Sequence, residues 1–87
     1  MTVEQFIETM ESTEENFMDF AGCKALAGLN IIKKYLPDAG IDSVGHDIIF
    51  ASGEIEELIA KGITKEDIQK LAELNWMVED YYLACFV

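Results

Sequence analysis

The sequence predicts an α+β fold, and three observations carry that prediction. The last third of the chain, Ile63 to Val87, switches from a helical apolar period to a period of two around Asn75 and Trp76. A second short run of strand character, His46 to Ala51, stands upstream of it, and the first part of the chain keeps helical spacing. The expected order is two amino-terminal helices followed by a β-α-α-β-β unit, with three strands in a small, mainly antiparallel sheet packed on helices. At 87 residues, 51% of them hydrophobic, the chain is expected to be one domain with one core. Its expected parts are an acidic helix over 1–12, a core helix over 13–36 and the β-α-α-β-β unit over 46–87.

The first helix starts on a capping box, Thr2 to Gln5, and stacks Val3, Phe6, Ile7 and Met10 on one side with Glu4, Glu8 and Glu11 on the other. Ser12-Thr13-Glu14-Glu15 repeats the capping pattern, so a break and a new helix are expected near Thr13. That helix aligns Phe17, Ala21, Ala25, Gly28 and Ile32, and its small residues Ala21, Gly22, Ala25 and Gly28 would admit a close neighbour. Lys33 and Lys34 complement its carboxy-terminal dipole, and Pro37 ends it. Leu36 to Gly45 reads as irregular loop. After the strand at His46–Ala51, Ser52 is expected to cap a short helix over Gly53–Lys61, which Gly62 stops.

Thr64 is placed to cap the next helix, with its hydroxyl toward the Asp67 amide and acids in the first turn. Asn75 is the expected left-handed stop. In the closing hairpin Trp76, Val78, Tyr81, Leu83, Cys85 and Val87 are expected on one face, and Met77, Tyr82, Ala84 and Phe86 on the other. Both faces are apolar, so both need a cover: helices on one, and a loop, the amino-terminal helix, or a partner on the other. Glu79-Asp80 is a poor two-residue turn, which predicts a longer or bulged connection.

Charge excludes more functions than any motif suggests. Seventeen acids against six lysines leave a net charge of −11, and no arginine is present. Direct nucleic-acid binding and anionic membranes both need basic patches and are disfavoured, whereas a basic protein partner is favoured. The alternative use of the acidity is to keep a small, apolar-rich domain in solution. No apolar run is long enough to span a membrane, and the start has no secretory pattern, so a cytoplasmic protein is expected. Cys23 and Cys85 lack metal or redox spacing and read as reduced, buried small hydrophobes, with a single disulfide between them as the lesser alternative.

Reactive constellations are missing from the sequence. His46 beside Asp47 on a strand would point to opposite faces, and one histidine with two separated cysteines does not make a metal site. No phosphate loop, calcium loop or nucleophile elbow is present. The expectation is a protein with no catalytic residues, no metal ligands and no cofactor.

Three stretches carry a likeness: His46-Asp47-x-Ile49-Phe50, Ile63-Thr64-x-Glu66-Asp67-x-x-x-Leu71-x-x-Leu74-Asn75-Trp76, and the closing Phe86-Val87. The chain resembles small uncharacterised phage and prophage proteins over the segment from Ala25 onward. Asn75 stands where those proteins have glycine, and Leu83 or Ala84 where they have an aromatic. The resemblance implies a phage accessory protein acting in the host cytoplasm and brings no activity with it.

The leading expectation is therefore a small, acidic, non-enzymatic protein-binding module. Joined to the phage likeness, it becomes an inhibitor of a host factor, an anti-defence protein that mimics nucleic acid by placing carboxylates where a basic site expects phosphates. Glu4, Glu8, Glu11, Glu14, Glu15 and Asp19 form the first expected partner patch, and Glu54, Glu56 and Glu57 the second. The alternative is an assembly protein that forms a homodimer through Met77, Tyr82 and Phe86. A small enzyme using His46 and Asp47 is the third reading.

Overall fold

The computed structural model describes residues 1–13 and 21–86, with side chains from Lys24 onward in the second of those stretches. In chain order the elements are α1 (Val3–Glu11), α2 (Ala21–Tyr35), β1 (Ile41–Val44), β2 (Ile48–Glu54), α3 (Ile55–Ala60), α4 (Lys65–Glu73), β3 (Trp76–Glu79) and β4 (Tyr82–Phe86). The class is α+β, but the sheet has four strands, all antiparallel, in the order β1-β2-β4-β3. The expected three-stranded β-α-α-β-β unit is thus a β-β-α-α-β-β unit.

The additional strand is β1, within the stretch whose sequence predicts irregular loop. All four of its residues are exposed, and its register slips between Ile41 and Ser43, so burial imposes no alternation on its sequence. Backbone pairing with β2 holds it. The neighbouring strand also moves: β2 begins at Ile48, and His46-Asp47 lie in the β1–β2 turn, where the Gly45 amide donates to the Ile48 carbonyl at 2.8 Å. Ser52 does not cap α3. Its amide donates to the Gly40 carbonyl and its hydroxyl accepts from the Gly40 amide, both within 2.9 Å, so the side chain is committed to closing the β1–β2 pair. β2 kinks at Gly53, whose φ of 94° suits glycine, and α3 starts at Ile55 with Glu54 as a cap that makes no side-chain bond to the helix.

The expected caps at Thr2 and Thr64 are present. Thr2 and Gln5 exchange their capping-box bonds at 3.1 and 2.8 Å, and the Asp67 amide donates to Thr64 Oγ1 at 3.2 Å. Thr13 turns back on α1, donating its hydroxyl to the Thr9 carbonyl at 2.9 Å. The helix start expected near Thr13 falls on residues 14–20, outside the described residues; from Ala21 the helix is present and runs to Tyr35. Asn75 takes a left-handed φ of 66°, and its side-chain amide donates to the Phe86 carbonyl at 3.1 Å, tying the stop of α4 to the last strand.

The terminal hairpin is tighter than expected. Glu79 pairs with Tyr82, and the connection is only Asp80-Tyr81, both at positive φ (51° and 68°). That is the two-residue turn whose twist matches antiparallel strands, built from residues that resist it. Its offset is a tertiary bond, because the Ile55 amide at the start of α3 donates to the Tyr81 carbonyl at 2.9 Å. Tyr81 is 60% exposed in this turn and does not join the core face that its alternation predicts. Replacing Asp80-Tyr81 by Asn-Gly should therefore stabilise the fold by about 1–2 kcal/mol, seen as a higher urea midpoint at constant slope.

The core lies between the helices and one face of the sheet. Phe6, Ile32, Ile55, Leu58, Ile68 and Leu71 come from the helices, and Ala51, Trp76, Leu83 and Cys85 from the strands, all 5% exposed or less. Trp76 sits opposite Cys85 and Val78 opposite Leu83, so these four share the core face as expected. The close neighbour admitted by Gly28 is the indole of Trp76, whose Nε1–H donates to the Lys24 carbonyl at 3.2 Å.

At the other end of α2, Tyr35 and Lys34 reach α4. The Tyr35 hydroxyl and the Lys34 ammonium both donate to Asp67 Oδ2, the latter at 2.8 Å, and the hydroxyl is 3.4 Å from the Thr64 amide. These bonds, Lys34 first and then Tyr35, hold the Asp67 carboxyl below its ordinary range. The sign follows: Asp67 contributes stability that is present above the unfolded carboxylate range near pH 4 and is lost as pH falls through the lowered folded value. Asp67→Asn should flatten the acid limb of the stability curve in that window and leave the alkaline limb unchanged.

Candidate functional site

Three surfaces carry the residues that the sequence singled out. The first is the outer side of α1. Phe6 and Met10 are buried beneath it, and Glu4, Glu8 and Glu11 stand exposed along the opposite side, lining a shallow groove with Ile7 and Ser12. Residues three and four apart on a helix are neighbours, so the three carboxylates form one line. Like charges at this spacing cost a few tenths of a kcal/mol each in an isolated helix. No lysine among the described residues forms an ion pair with them. Glu14, Glu15 and Asp19 fall outside the described residues.

The second surface is the β2–α3 junction. Glu54, Glu56 and Glu57 are all exposed there, but they differ in what surrounds them. Glu57 lines a groove of about 320 Å³ with Tyr35, Leu36, Ser52 and Lys61. Glu54 accepts the Tyr82 hydroxyl at 3.2 Å. That bond, followed by the charge of Glu54 itself and then by the fields of Asp42 and Glu57, pushes the Tyr82 phenol above its ordinary range. Carboxylates of three elements therefore gather around one tyrosine, a convergence that spacing along the chain does not show.

The third surface is the outer face of the sheet. Met77, Tyr82 and Phe86, named from the hairpin pattern, do share this face, and the register adds Ile48 and Phe50 from β2. None of these side chains belongs to the core cluster, and Phe86 and Tyr82 are 40% and 36% exposed. Ala84, fully buried, also stays outside that cluster, since its cross-strand partners Phe50 and Met77 flank it. The amino-terminal helix, one expected cover for this face, instead packs on α4, α3 and β3 and puts Phe6 and Met10 into the shared core. A smaller apolar groove, about 230 Å³, lies on the helical side between α2 and β1, lined by Leu26, Leu29, Ile41, Ile49 and Trp76.

On α2, Lys24 is only 4% exposed, whereas Lys33 and Lys34 are on the surface. His46 and Asp47 are exposed in their turn, with no hydrogen bond between them. Among the described residues no three His, Cys, Asp or Glu side chains converge as metal ligands. Cys85 is buried, with its sulfur 3.8 Å from the Leu74 carbonyl oxygen, and the Cys23 side chain is outside the described residues. Among the described residues no helix is long and apolar enough to cross a membrane.

No protein-family model, curated protein or solved structure matches the chain. The phage likeness thus stands on its motif residues alone. Of these, Asn75 and Trp76 have structural tasks, as a left-handed stop and as the filler against Gly28.

Proposed function

We propose that this protein is a non-enzymatic, acidic binding module that recognises a basic surface on another protein. The observation that carries the reading is the line of Glu4, Glu8 and Glu11, exposed and without lysine partners on a helix whose other side is anchored in the core. Unpaired carboxylates held on a fixed support offer their charge to a partner at little cost in ordering. A net charge of −11 with no arginine gives the field one sign over long range, which speeds encounter with a basic partner and repels phosphate polymers. In a phage setting, the reading becomes inhibition of a host nucleic-acid-binding factor by carboxylates standing in for phosphates. Glu54, Glu56 and Glu57 supply a second patch for a partner broad enough to reach it.

The test is charge reversal of the anchored line. A protein carrying Glu4→Lys, Glu8→Lys and Glu11→Lys should keep its circular dichroism spectrum and lose at least about tenfold in affinity for a basic partner retained from host extract, equivalent to about 1.4 kcal/mol. Retention of the same partner at wild-type affinity by the folded variant would sink the reading.

A further inference from the structure

We propose that the outer face of the sheet is the docking surface for a basic amphipathic helix presented by the protein partner. This rests on the reading that the partner is basic, and adds a second contact, apart from the α1 glutamate line, together with the form of the partner segment that makes it. The strand register arranges the face in rows. Phe50, Ala84 and Met77 make one row, Ile48 and Phe86 the next, and Tyr82 closes the strip at one end between Glu54 and Glu79. The strands and turns over 41–54 and 75–86 carry Asp42, Asp47, Glu54, Glu79 and Asp80 and no lysine. All six lysines lie on the helices or at their ends. The sheet is therefore an apolar strip edged by carboxylates, with no lysine or arginine of its own.

That charge pattern selects the occupant. A second copy placed face to face would set Glu54 and Glu79 against the same acids, with no lysine on either sheet to answer them. A helix with an apolar stripe and lysine or arginine flanks satisfies both parts of the surface. The dimensions agree: β2, β4 and β3 at a spacing of about 4.8 Å present a strip about 10 Å wide, and a helix is about 10–12 Å across. The groove beside Leu26 and Ile41 has the apolar lining without a charge pattern that chooses a partner.

The experiment uses a designed leucine/lysine peptide of about five helical turns, amphipathic in one version and scrambled at the same composition in another. Each is titrated into isotope-labelled full-length protein at low and high salt. The amphipathic peptide should move the amide resonances of Phe50, Met77, Ala84 and Phe86, become helical on binding, and bind about tenfold or more tightly than the scrambled one. Phe86→Asp should weaken it by a similar factor although the change adds negative charge; Met77→Asp is the second variant should that protein fail to fold. Equal binding of both peptides, with shifts gathered on α1, would overturn the docking surface while leaving the basic-partner reading in place. Binding of neither peptide would tell against both. A concentration-dependent dimer abolished by Phe86→Asp would show that the face belongs to a second copy, and the inference would fall.

Discussion

Gly28→Ala is expected to destabilise the protein by about 2–4 kcal/mol, although alanine is the better helix former by about 1 kcal/mol. A Cβ at this position would stand 1.8 Å from Trp76 Nε1 and 2.3 Å from Cδ1, far inside contact distance. The indole cannot simply withdraw, because it is 3% exposed and its Nε1–H is bound to the Lys24 carbonyl. Moving it therefore adds a lost buried hydrogen bond, about 1 kcal/mol, to the overpacking strain. Against a total stability of about 5–15 kcal/mol, the variant should unfold at a clearly lower urea concentration. Shortening the aromatic in the same chain, Trp76→Phe, should remove part of the penalty, and a double-mutant cycle would measure that coupling. A Gly28→Ala protein as stable as the parent would mean that α2 and β3 do not meet in this way.

Phe6→Ala should cost about 3–5 kcal/mol, the usual range for emptying a fully buried aromatic site. Phe6 is 0% exposed, and together with Met10 it makes the buried contact of α1 with the core. At nine residues α1 is too short to persist as a helix once detached. The expected result is lost amide protection over residues 3–11 together with a lower unfolding midpoint, measured by hydrogen exchange and urea titration. The same change should weaken binding to a basic partner without altering a single charge, because the glutamate line loses its support. Unchanged protection in α1 would detach the acidic surface from the core and contradict this link.

What could be read from the chain was whatever local chemistry determines. Thr2, Thr64 and Asn75 act on the backbone within a few residues, and each has the role its neighbours imply. The helical stripe of α1 and the core face of the hairpin follow from periodicity, because burial on one side enforces it. Where long-range pairing decided, local signals failed. β1 has no buried residue and a register slip, so no pattern marks it. Ser52 looks like a helix cap, but its hydroxyl closes a strand pair twelve residues away. Asp80-Tyr81 is an unfavourable turn that the sheet register and the bond to Ile55 impose. The candidate surfaces divide in the same way. The glutamates of α1 are legible as a helical face, while the gathering of Asp42, Glu54 and Glu57 around Tyr82 is made by the sheet and the helix that follows it.

Whether the acidity serves recognition of a basic partner is read from a pull-down out of cell extract at low and high salt, with light scattering on the same sample. A basic protein should be retained at low salt and released at high salt, since exposed charges are screened beyond about 10 Å at 0.1 M ionic strength. Duplex DNA should compete with that retention if the carboxylates stand in for phosphates. No retained protein at either salt, together with a dimer mass that salt does not change, would contradict that role and make the molecule an assembly protein.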